Sequence, residues 1–243
     1  ETFRDAEGEI VIVFDPAVMS QTTVPAWFDA AYWGDAAERI GSGGRGAAWF
    51  VDLDEQAMVL RRYLRGGWAA KFSRDHYLWR GEEAVRSVAE FRLLQRLAVL
   101  GLPVPMPLAA AYWRAGRRYR AAILIARISD VTSLGDRVLD DVASAPWVES
   151  GRLIARFHRV GLDHPDLNAH NVLFDKTGKG WLIDFDKAVM RDPAQHHWQR
   201  ANLARLHRSL HKLGGPALTA AVDAGFIELR SAYDEAMSKE TER

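Results

Sequence analysis

Not one of the 243 residues is a cysteine. That excludes a disulfide framework, a thiol nucleophile and a thiolate metal site, and it suits a reducing compartment. Neither sign of charge is in excess: 32 Lys and Arg stand against 32 Asp and Glu. An electrostatic nucleic-acid binder carries a basic surplus, so no nucleic-acid partner is expected, although neutrality overall can conceal local basic patches. No apolar stretch approaches the roughly 20 residues of a membrane helix; none is longer than Ala121 to Ala126. Nothing at Glu1 reads as a secretory leader, and neither internal repeats nor low-complexity linkers occur. What remains is the balance of an ordinary globular protein, 48% apolar and 26% charged, long enough to build a core without metals or disulfides.

Patterning along the chain points to strands first and helices later. Glu9 to Phe14 is a β-like run, and an aromatic segment covers Pro25 to Trp33. Gly41 to Gly46 is a glycine cluster, followed by strand-like runs from Ala47 to Leu53 and Gln56 to Leu64 around a turn at Asp52 to Glu55. Residues 82–100 have helical spacing, with Val85, Val88, Phe91, Leu94 and Leu97 on one stripe, stopped at Gly101. Gly101 to Pro107 is extended and Tyr119 to Ile128 is a buried strand. Residues 147–160 are helical, Asn171 to Asp175 and Gly180 to Ile183 form a strand pair, and the chain from about Pro193 is mostly helical. This order predicts an α+β fold of two lobes, residues 1–126 and 127–243.

Two segments carry chemistry. Gly41-Ser42-Gly43-Gly44-Arg45-Gly46 spells G-x-G-x-x-G. Glycines let backbone N–H groups close on phosphate oxygens; a surface loop is the plainer alternative. A dinucleotide fold needs a helix after such a loop, whereas a strand pair follows here, the setting of a glycine flap over nucleotide phosphates. Further on, His164-Pro165-Asp166-Leu167-Asn168-Ala169-His170-Asn171 matches H-x-D-L-x-x-x-N, and Asp184 follows in Leu182-Ile183-Asp184-Phe185-Asp186. Phosphoryl transfer needs a carboxylate to orient and deprotonate the acceptor hydroxyl, which suits Asp166. It also needs oxygen ligands for Mg²⁺, which suits Asn171 and Asp184.

These segments resemble the protein-kinase-like superfamily. Within it the nearer likeness is to the 3-deoxy-D-manno-octulosonic acid (Kdo) kinases, relatives of the lipopolysaccharide core heptose kinases. Leu60-Arg61-Arg62-Tyr63, Arg65-Gly66-Gly67, Glu90-Phe91-Arg92-Leu93-Leu94 and the two loops just quoted carry it, over about residues 40–210. The resemblance implies a two-lobed kinase-like fold, with ATP bound against a hinge at Ile125 to Ile128. It implies transfer from ATP, with Mg²⁺, to the 4-hydroxyl of Kdo on a lipid A precursor. It implies a peripheral location at the cytoplasmic face of the inner membrane, and Asp166 as the catalytic aspartate. Rival readings are a heptose or protein kinase of the same branch, or a nucleotide-binding pseudokinase scaffold; the joint presence of Asp166, Asn171 and Asp184 speaks against the last.

This chain departs from the kinase pattern in three places. Where a strand-three lysine is expected stands Arg61, 15 residues past Gly46. Arginine can grip phosphate bidentately, with Lys71 as the alternative. Asp184-Phe185-Asp186 replaces Asp-Phe-Gly, and Asp186 is expected near the second Mg²⁺ or paired with Lys187. No Ala-Pro-Glu segment follows, so control by loop phosphorylation is not expected. A charge on an apolar helix face needs a partner, which favours Glu90 over Glu82 and Glu83 as the mate of Arg61. Two basic clusters, Arg61 to Arg74 and His196 to Arg208, suit an anionic acceptor and an anionic membrane surface. Trp27, Phe28, Tyr32 and Trp33 are candidates either to enter the headgroup zone or to pack as core. His158, His164 and His170 lack the sequence context of a metal site.

Overall fold

The computed structural model describes residues 1–5, 8–19, 24–40, 48–53, 56–64 and 75–239. The glycine cluster with Gly41, Gly43 and Gly46, the Arg65-Gly66-Gly67 segment and Lys71 lie outside them. The chain divides into two compact units, Glu1–Arg96 with Pro105–Arg127, and Leu97–Val104 with Ile128–Arg243. The first is β-rich and the second largely helical, as the strand-then-helix order predicts for an α+β protein.

In the first unit come β1 (Thr2–Asp5), β2 (Gly8–Phe14), the short helix α1 (Ala30–Trp33), β3 (Glu38–Arg39), β4 (Ala48–Leu53), β5 (Gln56–Arg62) and β6 (Tyr77–Leu78). Helix α2 (Arg86–Val99), β7 (Pro107–Ala115) and β8 (Arg118–Ala126) follow. All pairings in the sheet are antiparallel, in the order β1-β2-β7-β8-β5-β4-β3 with β6 also on β8. Two residues join β7 to β8, and the first, Gly116, has φ +57°, the positive torsion that a two-residue hairpin turn requires. Alternation along β5 buries Met58 and Leu60 and sends Arg61 to the other face.

Strand β7 is absent from the sequence reading. Leu108 to Ala111 is mostly alanine, which has no β preference; pairing on both edges makes it a strand. Small side chains there also let α2 come close, and Ser87 Oγ donates to the Ala111 carbonyl at 2.9 Å. The aromatic segment is core: Trp27 and Phe28 are 4% and 1% exposed and pack with Ile12, Met58, Leu60 and Leu108. They are not available to a membrane; of the four aromatics only Tyr32 is exposed.

The second unit contains β9 (Thr132–Ser133), α3 (Leu134–Asp140), α4 (Trp147–Arg159), β10 (Leu162–Asp163), β11 (Val172–Phe174), β12 (Gly180–Leu182), β13 (Val189–Met190) and α5 (His196–Ser238). Strands β12, β11 and β9 form one small sheet, β10 and β13 another. Helix α5 is two helical segments meeting at Gly215, whose φ of 58° and ψ of −167° are not helical, and Pro216. Helix α4 places Glu149 in its first turn and Arg156 and Arg159 in its last, signs that complement the helix dipole.

Helices α4 and α5 approach so closely that two positions tolerate no side chain. A Cβ on Gly225 would lie 2.1 Å from the Trp147 ring, and one on Gly151 would lie 2.1 Å from the Leu229 carbonyl oxygen. Trp147 is pinned by an indole N–H bond to the Val142 carbonyl at 2.9 Å. In an open helix Gly→Ala gains about 1 kcal/mol; here overpacking, at about 1–3 kcal/mol, reverses the sign. Gly225→Ala is therefore expected to lower the melting temperature, by about 2–4 °C per kcal/mol in a chain of this size. A rise on thermal denaturation would show that the helices are not in this contact.

Candidate active site

Four buried groups shape the loop between β10 and β11. Asp163, 4% exposed, is held by Arg191 Nε at 2.5 Å and by Asn202 Nδ2 at 2.8 Å. The Asn202 amide oxygen accepts the His164 backbone N–H at 2.8 Å. Leu167 is fully buried, so the residues on either side of Asp166 are anchored. The Asn168 and Asn171 side-chain amides both donate to the Asp166 carbonyl, at 3.0 and 3.2 Å. For Asn171 this leaves Oδ1 as the side chain's acceptor.

Asp184 sits just past β12. The Ile183 N–H donates to the Asn171 carbonyl at 3.1 Å, which brings the Asp184 segment alongside the Asn171 loop. Phe185 is 1% exposed and packs near Phe157 and His164, while Asp184 itself is exposed. Its φ of +65° is a left-handed backbone that costs most side chains about 1 kcal/mol or more and that a short polar one tolerates best. The fold therefore holds Asp184 against its own backbone preference, with Phe185 as the anchor.

The Asp166 carboxylate is doubly paired. Lys187 Nζ donates to Oδ2 at 2.6 Å, and Arg205 Nη2 lies 3.0 Å from Oδ1. Partial burial raises its pKa, but Lys187 and then Arg205 outweigh that and hold the carboxyl below its ordinary value. It is an ion at neutral pH. Pairing of Lys187 with Asp186 is one expectation from the sequence; the structure adds a contact of its ammonium with Asp166. Arg205 opens onto a groove of about 520 Å³ lined also by Asn168, His170, Arg208 and Lys212.

In the first unit, Arg61 of β5 makes an ion pair with Glu90 of α2. The Tyr63 hydroxyl donates to the same carboxylate at 2.5 Å, and the Arg61 guanidinium stands 5.1 Å from the Tyr63 ring centre. Glu90 is 2% exposed at its side chain, so the argument that a mid-stripe charge needs a partner identifies the pair. Arg62 instead approaches Asp75 at 3.6 Å, and Glu82 and Glu83 meet Arg92.

A family model for the lipopolysaccharide kinase (Kdo/WaaP) family matches residues 30–233. The chain belongs to this family. A protein of Stenotrophomonas maltophilia (strain R551-3) called 3-deoxy-D-manno-octulosonic acid kinase is 54% identical over 98% of this chain and 95% of its own length. One of the same name from Xanthomonas oryzae pv. oryzae (strain PXO99A) is 52% identical over 98% and 94%. Among solved structures, a chain titled "ROP18 kinase domain in complex with AMP-PNP and sucrose" aligns at TM-score 0.48 and 12% identity, over 88% of this chain and 90% of that one; at that level the likeness carries no argument. In this Kdo/WaaP-family chain the two features missed from sequence are Lys187 and Arg205 as partners of Asp166. The lysine two residues past Asp-Phe was the available signal; Arg205, far along the chain, had none.

Two histidines brace the site without charge. His164 Nε2 lies 3.0 Å from the Ile183 carbonyl, so Nε2 carries the hydrogen, and Nδ1 is buried without a hydrogen-bond partner among the described residues. Burial lowers the His164 pKa and pushes that of His158, which shares a 2.9 Å hydrogen bond with the Tyr233 hydroxyl, down to about 4. For His158 the nearby Asp163 opposes the shift, and burial outweighs it. Below the unfolded histidine pKa of about 6.5 the unfolded chain binds the extra protons, so stability falls with falling pH. We expect the melting temperature to drop between pH 6.5 and 4, and His158→Gln to flatten that drop. A wild-type curve flat across this window would contradict the neutral, buried assignment.

Proposed function

We propose that this protein is an ATP-dependent kinase that phosphorylates Kdo in lipopolysaccharide core synthesis, at the 4-hydroxyl of Kdo on a lipid A precursor. The observation that carries it is the Asp166 carboxylate, held ionised between Lys187 and Arg205, the second of which also lines a basic groove. The full-length likeness to the two kinases above names the acceptor as a sugar acid. An acid carries a carboxylate, and a lipid A precursor adds phosphates; Arg205, Arg208 and Lys212 suit both.

The donor set fits a hard cation. The Asn171 amide oxygen and the Asp184 carboxylate offer only oxygen, and the neutral His164 brings no competing charge. Bound there, Mg²⁺ would neutralise the phosphates of ATP, the phosphoryl donor. Asp166 orients the acceptor hydroxyl and takes its proton. Two cations beside it make it a weak base, which suits a loose transition state in which positioning does most of the work. Lys187 and Arg205 then offset charge arriving with the acceptor. Arg61, fixed by Glu90 and Tyr63, holds nucleotide phosphates, and Gly41, Gly43 and Gly46 cover them. Residues 1–126 thus act as the nucleotide-gripping lobe and 127–243 as the lobe of chemistry.

Purified protein with ATP–Mg²⁺ should phosphorylate a Kdo–lipid A precursor and not heptose acceptors or a generic protein; the reverse pattern would overturn the acceptor. Asp166→Asn should lose about 10²–10⁴ in kcat and keep its thermal shift with ATP–Mg²⁺, while Asp184→Asn should lose that shift. Arg208→Ala and Lys212→Ala should raise KM for the acceptor more than they lower kcat. Arg61→Ala strands a buried carboxylate, at a cost of about 3–5 kcal/mol. Arg61→Lys is therefore the informative change, and it should lower activity where Arg62→Ala does not. An inactive, folded Lys71→Ala would transfer the phosphate-gripping role to Lys71.

Among the described residues no helix is long and apolar enough to cross a membrane, yet the acceptor is a lipid. The enzyme then works peripherally at the cytoplasmic face of the inner membrane, drawn by basic side chains to anionic headgroups. Since screening confines that attraction to about 8 Å at physiological salt, cosedimentation with anionic vesicles should fall as salt rises. Equal binding to neutral vesicles at every salt concentration would remove the electrostatic attraction.

A further inference from the structure

Helix α5 carries a cluster that the kinase reading does not use. His207 Nε2 and His211 Nε2 each lie 2.8 Å from Asp223 Oδ1, and the two ring nitrogens are 3.0 Å apart. The histidines are one turn apart on the segment before the Gly215–Pro216 break, and Asp223 is on the segment after it. At 3.6 residues per turn, His207 and His211 fall roughly opposite Arg205, Ser209 and Lys212, which line the basic groove.

Protons alone do not account for this triangle. Asp223 is half-exposed, and an exposed aspartate is a carboxylate at neutral pH, so it brings no hydrogen. Each Nε2 carries at most one hydrogen. Two hydrogens would have to serve three contacts of hydrogen-bond length, leaving one pair of electronegative atoms close together with nothing between them. A cation at the centre satisfies all three contacts at once. Tetrahedral zinc, with bonds of about 2.0–2.1 Å, sets its ligand atoms about 3.3 Å apart, so binding needs only a few tenths of an ångström of widening. Imidazole and carboxylate are ligands of the zinc class. The side chains are 34%, 30% and 48% exposed, which leaves room for water in the fourth position. Phe226 packs against the His207 ring at a tilt of 31°, centres 4.3 Å apart, and restricts its orientation as an outer-shell contact does.

We propose that His207, His211 and Asp223 bind one divalent transition-metal ion of the zinc class, clamping the two segments of α5 together across the Gly215 break. The site is separate from the oxygen-only pair Asn171 and Asp184. The test uses tag-free, full-length protein stripped with EDTA and kept in excess Mg²⁺. Titration with Co²⁺ should give one equivalent with the intense visible bands of tetrahedral cobalt, bleached by Zn²⁺, and Zn²⁺ should raise the melting temperature. His211→Gln keeps an amide able to donate to Asp223 but removes the imidazole; it and Asp223→Ala should weaken Zn²⁺ binding at least about tenfold by calorimetry. His211→Gln decides the matter if Asp223→Ala unfolds. No tetrahedral Co²⁺ spectrum in the wild type, or Zn²⁺ held as tightly by His211→Gln as by wild type, would overturn the site and leave a proton-shared histidine pair.

Discussion

One hydrogen bond in the second unit organises the rest of the site: His164 Nε2 to the Ile183 carbonyl. It joins the loop that presents Asp166 to the loop that presents Asp184. It works because the imidazole is buried and neutral, so that it donates a hydrogen bond without bringing a charge beside the carboxylates. Around it, Phe185 and Leu167 bury apolar anchors, while Asn202 and Asp163 satisfy the backbone and ionic ends. Asp166 and Asp184 are thus each flanked by a buried neighbour in sequence. The exposed acid cannot drift unless the core opens, which is how a loop becomes rigid enough to place a reacting group.

Electrostatics differ between the two units for a physical reason. In the first, Glu90 is buried and its charge must be answered on the spot, by Arg61 and the Tyr63 hydroxyl. Such a pair defines an orientation more than it adds stability, because desolvating both ions offsets their attraction. In the second, Asp166 keeps contact with water, and its pairing with Lys187 and Arg205 sets its protonation and the sign of the surrounding field. A groove lined by Arg205, Arg208 and Lys212 then favours anions, while Arg205 also pairs with the Asp166 carboxylate. On the proposed function, that combination would separate binding of a charged acceptor from activation of its hydroxyl.

The long final helix links two roles. One side supplies Arg205, Arg208 and Lys212 to the groove; the other carries His207 and His211, closed by Asp223 from beyond the break. The close packing of α4 on α5 at Gly151 and Gly225 fixes the segment after the break to the core, while buried Leu203, Leu206 and Leu210 hold the segment before it.

Much of the site was legible in the sequence because its residues are local. Asp166, Asn171 and Asp184 lie within 20 residues of one another, in loops whose capping and apolar anchors are written beside them. Glu90 was legible as well, since a charge in an apolar stripe demands a partner whatever the fold. Strand β7 was not, because alanines state no preference and only β2 and β8 on either side make them a strand. The place of Trp27 and Phe28 was not, since an aromatic segment reads alike as core or as membrane anchor until the packing is known. The pairing of Arg205 with Asp166 and the closure of Asp223 on two histidines depend on contacts between residues far apart in the chain or across a helix break. The sequence by itself determined which chemical groups exist and which stay near one another along the backbone. Tertiary structure alone decided which distant charges meet, because that depends on how helices and strands pack and not on how they are spelled.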